Sequence, residues 1–330
     1  MHRLLPMKNC PLCVKYFIIY LMQSIQAILQ RLYDTHRNYS EGHPATYIPE
    51  LAKADPKKFG IVVTTVDGEV FKVGDFDTKF SLQSTSKPFI YGLALEDLGR
   101  EYLHSKVGVE PTGEAFNSIV ELEKTTHRPY NPMINSGAIA VSNMIVGSSF
   151  EARLQKIMNL FGDYVGHLVT VDENVFESEK QTAHRNRSIA HLLRHFGVID
   201  EHIEETLDLY FKQCSVLVDT QDLAMMAATL AAGGKNPRTH KEVIRSDYAK
   251  DILSLMFTCG MYDSSGEWAY SVGIPAKSGV SGAIFGVVPG KMGIAVYSPP
   301  IDAKGHSMRG LKVFNDLSQE LGLSIFKGHP

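Results

Sequence analysis

Two β-hairpin signals stand near opposite ends of the 330-residue chain, separated by a long helical stretch, and this order constrains the fold more than any other feature. Residues 60–75, GIVVTTVDGEVFKVGD, form two β-branched runs about Asp67-Gly68, a dipeptide suited to the left-handed turn of a tight hairpin. Residues 282–298, GAIFGVVPGKMGIAVYS, repeat the pattern about Pro289-Gly290. Between them Leu154/Ile157/Met158/Phe161, Ile189/Leu192/Leu193/Phe196, Leu207/Tyr210/Phe211 and Ile252/Leu253/Met256 recur at helical spacing. Gly197, Gly233 and Gly260 each follow such a run, as helix stops should. A final helix from about Ser307 to Leu321 carries Leu311, Phe314 and Leu317 on its inner side. The order predicts an α+β fold: one antiparallel sheet built from both chain ends, flanked by helices, with a helical region inserted between its halves. No internal repeat or module-separating linker interrupts it.

Composition narrows the function. With 44% hydrophobic and 21% charged residues the chain is an ordinary globular one. Lys+Arg 33 against Asp+Glu 36 leaves a net charge of -3 without a long basic block, so neither a nucleic acid nor an anionic membrane is an expected partner. A small molecule is. The cysteines are Cys10, Cys13, Cys214 and Cys259, a scatter that fits a reducing cytoplasm. Cys10-Pro-Leu-Cys13 has zinc-knuckle spacing but no second ligand pair nearby, so no metal centre is expected. The apolar stretch between Cys10 and Met22 falls short of the ~20 residues of a spanning helix and is interrupted by Lys15. It matches a signal peptide weakly: His2, Arg3 and Lys8 precede it and Ala27 follows it. Ile25, Ile28, Leu29, Leu32 and Tyr33 share one helical face, which starts the folded domain near Met22. Residues 1–22 are expected to be a poorly ordered extension, or a start assigned upstream of Met22.

The sharpest chemical motif is Ser84-Thr85-Ser86-Lys87, which opens an apolar helical run through Phe89, Leu93 and Leu95. Positions i and i+3 share a helix face, so the Lys87 amine can sit beside the Ser84 hydroxyl. Serine is a poor nucleophile until a neighbouring base takes its proton, and a neutral lysine is one such base. Pro88 suits a first helical turn. The plain alternative is that Ser84 only caps a helix; Ser324-Ile325-Phe326-Lys327 has the same spacing by accident. The second motif, Lys277-Ser278-Gly279, leads into the second hairpin. S-x-x-K followed by K-T-G marks class A β-lactamases and penicillin-binding proteins, and order and setting agree here. Other constellations fail: His191 and His195 flank Leu192 where a zincin needs Glu, and residues 286–291 lack the length and Ser/Thr of a P-loop. There is no Rossmann fingerprint.

Four stretches carry a closer resemblance: Tyr47-Ile48-Pro49-Glu50-Leu51; Phe80 to Lys87; Val109-Glu110-Pro111-Thr112-Gly113 with Phe116-Asn117-Ser118; and Asn131 to Ile139, NPMINSGAI. Together they resemble the serine-dependent glutaminases, from about Tyr47 to Pro300. The resemblance implies the β-lactamase-like fold, hydrolysis of L-glutamine to L-glutamate and ammonia, and no metal or organic cofactor. Residue by residue it implies Ser84 as nucleophile, Lys87 as proton acceptor, and Tyr47 and Tyr262 as hydroxyls near the reacting carbonyl. The N–H groups of Ser84 and Val280 would form the oxyanion hole. Asn135, Glu179, Asn186 and Tyr210 would surround the α-amino and α-carboxylate ends of the substrate. Without the resemblance, Tyr210 reads as core, Glu179 as a solvated charge within Glu177-Ser178-Glu179-Lys180, and Asn135 as a helix cap.

The expected organisation is one catalytic domain over 23–330, with a sheet part at about 23–83 and 265–330 and a helical part at about 84–264. The expected setting is the cytoplasm, as a homodimer or homotetramer. The rival readings are a penicillin-recognising serine peptidase or β-lactamase, and a glutamine-binding sensor without turnover.

Overall fold

The structure is a computed structural model and describes residues 25–123 and 127–327. The expectations for residues 1–22, with Cys10 and Cys13, lie outside the described residues. A helix over residues 25–36, α1, buries Ile25, Leu29 and Leu32, and Tyr33 stacks on Phe59 at 5.1 Å.

The two hairpins are present and share one sheet. Strands β1 (Gly60–Thr65) and β2 (Val70–Gly74) pair antiparallel. Three later strands are β6 (Ala276–Gly279), β7 (Ala283–Val288) and β8 (Met292–Tyr297). The sheet order β2-β1-β8-β7-β6 joins the chain ends through β1 and β8, with Gly60 opposite Tyr297 and Thr65 opposite Met292. Period-2 alternation then sorts side chains onto two cores. Ile61, Val63, Ile284, Ile294 and Val296 face α1 and the last helix, α11 (Met308–Leu321), where Val313, Phe314 and Leu317 meet them; Leu311 is only partly covered. Val62, Phe285, Val287 and Ala295 face the other way, onto Leu223, Ala224 and Ala227 of α8 (Thr220–Ala231). Edge strand β2 buries Phe71 and Val73 and exposes the residues between.

The remaining helices are α2 (Lys87–Lys106), α3 (Asn135–Asn143), α4 (Phe150–Val165), α5 (Glu173–Thr182), α6 (His184–His195), α7 (Ile203–Cys214), α9 (Ser246–Cys259) and α10 (Ser265–Ser271). Some helix starts are chemically marked: Ser149 caps α4, Asp172 caps α5, and Asp219 with Asp222 closes a capping box on α8. Gly197 and Gly233 end α6 and α8 with left-handed φ, as their positions predict. Gly260 ends α9 for another reason. Its φ is −69°, and an added Cβ would lie 1.9 Å from the Ala276 carbonyl oxygen, so the glycine lets α9 abut β6. A small second sheet, unexpected from sequence, orders β3 (Phe80–Ser81), β5 (Val216–Val218) and β4 (Thr170–Val171) as β3-β5-β4. It fastens the segment before Ser84 to the helical region.

Candidate active site

Ser84 lies in a 3-10 turn, Gln83–Ser86, that runs directly into α2, whose first residue is Lys87. The helix therefore opens three residues later than the motif alone suggests, with Pro88 in its first turn. Ser84 makes no capping bond. Gln83, just before it, has φ +49°, a left-handed conformation that costs a non-glycine residue about 1–3 kcal/mol and persists where surrounding structure enforces it. Its buried side-chain amide donates to Ser81 Oγ at 3.4 Å and Glu179 Oε2 at 3.5 Å.

Lys87 is fully buried, and its Nζ donates to Asn135 Oδ1 at 2.8 Å and the Met133 carbonyl at 3.1 Å. Burial lowers its pKa to about 8, although Cys214 and the Glu179 charge act in the other direction. A neutral amine has two N–H donors and one lone pair. Both donors are occupied here, which leaves the lone pair as the amine's remaining site for a proton. The acceptors come from the turn entering α3, which closes tightly because residue 137 is glycine: a Cβ there would lie 1.9 Å from the Asn131 carbonyl oxygen. Asn135 thus starts a helix but uses its side chain on Lys87 and, through Nδ2, on Asn186 Oδ1 at 2.9 Å.

A cavity of about 290 Å³ opens over this turn, lined by Tyr47, Ser84, Asn135, Glu179, Asn186, Tyr210 and Val280, all seven of them residues that the resemblance singles out. Larger cavities exist, one of about 520 Å³ beside Trp268 and Leu311, but they hold neither Ser84 nor Glu179. Glu179 is buried on α5, and burial raises its pKa to about 7, moderated by the Gln83 bond and the Lys87 charge. It is the reverse of a solvated surface carboxylate. Tyr210, on α7, is buried, and burial pushes its phenol well up. Tyr47 has one side open to solvent, yet burial of its hydroxyl end and the Glu179 charge push that phenol up as well.

Tyr262 and Lys87 do not line the cavity; Lys87 Nζ lies 5.6 Å from the Tyr262 ring centroid. The Ser84 hydroxyl lies close enough to the Tyr262 phenol to draw its pKa down, against burial, which raises it far above its usual range. Tyr262 too is left-handed, at φ +54°. Val280 follows β6, whose last residue, Gly279, lies against the Ser84 turn: a Cβ there would be 3.1 Å from the Leu82 carbonyl oxygen and from Thr85 Cγ2. Among the described residues no carbonyl outside that turn or strand accepts the N–H of Ser84 or Val280.

Sequence reasoning gave no role to Gln83, Phe116, Asn117 or Arg185, which also line the cavity. Gln83, Phe116 and Asn117 fall inside resembling stretches; Arg185 adjoins Asn186. The motifs set aside stay outside the site. His191 is exposed on α6, residues 286–291 are the end of β7 and the turn that follows it, and Ser324 and Lys327 follow α11. Among the described residues no cluster of three or more His, Cys, Asp or Glu could hold a metal ion.

The sequence matches the glutaminase family model over residues 42–326. It is 56% identical over 300 residues to a glutaminase of Trichormus variabilis, covering 91% of this chain and 90% of that one. Against a glutaminase of Corynebacterium efficiens the identity is 44% over 307 residues, covering 92% and 72%. The fold is similar to that of the probable glutaminase YbaS, with a TM-score of 0.90, 42% identity and coverage of 93% and 99%. It is also similar to a probable glutaminase from Bacillus subtilis complexed with 6-diazo-5-oxo-L-norleucine, at a TM-score of 0.84, 34% identity and coverage of 99% and 100%.

Proposed function

The chain belongs to the glutaminase family, with its β-lactamase-like fold, and from that premise we propose that it hydrolyses L-glutamine to L-glutamate and ammonia through a Ser84 γ-glutamyl ester. One observation supports the mechanism: Ser84 lines a cavity that also holds a buried carboxylate, and three residues after it stands a buried lysine whose pKa burial lowers to about 8. Glu179 takes the α-ammonium. Asn135, Asn186 and Tyr210 offer amide and phenol donors to the α-carboxylate.

Lys87 removes the Ser84 proton as Oγ attacks the side-chain carbonyl carbon. The carbonyl oxygen becomes an oxyanion between the N–H groups of Ser84 and Val280. The Lys87 ammonium returns the proton to the leaving nitrogen, directly or through the Tyr262 hydroxyl, and the C–N bond breaks to release ammonia. Water then attacks the ester and gives its proton to Lys87, and Oγ leaves with that proton, which restores the site. Lys87 is the base and Tyr262 a donor because only Lys87 loses its proton near neutral pH. Tyr47 closes the cavity mouth near the reacting group. No cofactor enters any step.

The sheet part (23–83 with 265–330) and the helical part (84–264) act as one catalytic unit, since Ser84 and Val280 come from either side of that division. Among the described residues no helix is long and apolar enough to cross a membrane. We place the enzyme in the cytoplasm as a homodimer or homotetramer.

The test is covalent trapping. 6-Diazo-5-oxo-L-norleucine, a glutamine-shaped diazoketone, should add once to the protein, with the adduct mapped by mass spectrometry to the Ser84 peptide and absent from Ser84→Ala. Lys87→Ala should abolish acylation. Labelling of Ser84 by a fluorescent penicillin and not by the diazoketone would move the activity to the penicillin-recognising enzymes.

A further inference from the structure

We propose that His306 is a positioning residue for this reaction: through Ser278 and Lys277 it clamps the ring of Tyr262 and holds that phenol on Ser84. The inference rests on the glutaminase reading above and extends it to residues outside the substrate cavity.

Tyr262 needs holding. It begins the three-residue turn Tyr262–Ser264 at φ +54°, a conformation that an L-residue does not adopt unaided. Its ring is gripped on several sides. Lys277 Nζ lies 3.8 Å from the ring centroid, the His306 ring stacks at 6.1 Å and within 15° of parallel, and Phe116 packs at 5.2 Å. Ser278 links two of these: its Oγ is 2.9 Å from His306 Nδ1, and its carbonyl accepts from Lys277 Nζ at 2.8 Å.

His306 is itself fixed by its loop. The Asp302 carboxylate accepts the backbone N–H groups of Lys304 and His306, each at 2.9 Å, and the Asp302 N–H donates to the His306 carbonyl at 2.9 Å. Gly305 brings the loop against Val280, where a Cβ would lie 3.1 Å from Val280 Cγ1. The loop therefore touches both the residue that supplies the oxyanion amide and the clamp on Tyr262.

The two ring nitrogens differ in their surroundings. His306 Nε2 has no partner among the described residues, so the ring's one polar tie within the protein is the Nδ1 contact with Ser278. Burial, against the charges of Asp302 and Asp263 and with those of Lys277 and Lys304, pushes the ring down to about 4, so it stays neutral at working pH. His306 does not line the cavity that holds Ser84, which makes it a positioning residue.

The experiment compares His306→Phe, which keeps a ring but loses Nδ1, with His306→Asn, which can return a polar atom to the Nδ1 position, and with Ser278→Ala. Steady-state glutamine kinetics and thermal unfolding are recorded for each beside the wild type. In His306→Phe, kcat should fall roughly 10- to 100-fold, the scale of a misplaced reacting group, with KM within about twofold. Ser278→Ala should lose kcat likewise, and His306→Asn should recover to within about threefold of wild type. Wild-type kcat in Ser278→Ala or His306→Phe, equal losses in His306→Phe and His306→Asn, or a loss confined to KM would each overturn the inference. Should His306→Phe not fold, Ser278→Ala decides alone. An inactive wild type would instead sink the glutaminase reading.

Discussion

Raising the pH from about 6 to about 8 changes two groups of the proposed site, and both changes favour the proposed turnover. Glu179 must be ionised to receive the substrate ammonium, and burial holds its pKa near 7 in the free enzyme. Lys87 must be neutral to accept the Ser84 proton, and burial brings its pKa down to about 8. With the competent form taken as the product of the two fractions, kcat/KM should rise about 500-fold between pH 6 and pH 8, steepest at the acid end, and level off above about pH 8. In the complex the ammonium keeps Glu179 ionised, so kcat should follow Lys87 alone, rising about 50-fold over the same range. The assay is ammonia release at limiting and at saturating glutamine across the range, repeated with Glu179→Gln. That variant should bind glutamine weakly and lose the Glu179 limb from kcat/KM. A flat profile, a rate that falls through pH 8, or a limb still climbing near the usual lysine value of about 10.4 would refute the assignment of Lys87 as base.

Two more outcomes follow from the same geometry. Folding raises the Glu179 pKa, so the protonated form is the better buried one; its stabilising effect is present below the unfolded value of 4.5 and is lost as pH rises through about 7. Glu179→Gln should therefore stabilise the protein by up to about 3 kcal/mol near pH 8 and by under about 1 kcal/mol near pH 5, read by urea unfolding; equal effects at both values would contradict the assigned shift. Gly137→Ala places a Cβ 1.9 Å from a backbone oxygen in the turn that supplies both Lys87 acceptors. It should destabilise by roughly 3 kcal/mol and abolish turnover, and wild-type unfolding and activity would show that the turn can yield.

The elements that sequence alone made visible are those whose cause is local. A turn dipeptide between alternating runs is enough to place β1 with β2 and β7 with β8, and the serine-lysine spacing is a property of one helical turn. What depends on distant packing stayed hidden. Strands β3, β4 and β5 have two or three residues, too short for a period to register. Glu179 sits among charged neighbours on α5, and its burial is decided by the Gln83 turn, which comes from nearly a hundred residues earlier. Resemblance to the family, not chemistry, was what separated it from Glu177. The left-handed backbones of Gln83 and Tyr262 had no sequence signal, because neither residue is glycine or asparagine. They place the two hydroxyl groups that meet at the reacting centre, so strain gathers at the part of the site least legible from composition or spacing.

The most direct test of the central claim is ammonia release from L-glutamine by the purified protein, beside its Ser84→Ala variant and with L-asparagine as second substrate. The mechanism predicts steady release from glutamine, much less from asparagine, whose amide stops one methylene short of Ser84, and none from Ser84→Ala. Undiminished release from Ser84→Ala, or no release from folded wild-type protein, would contradict it.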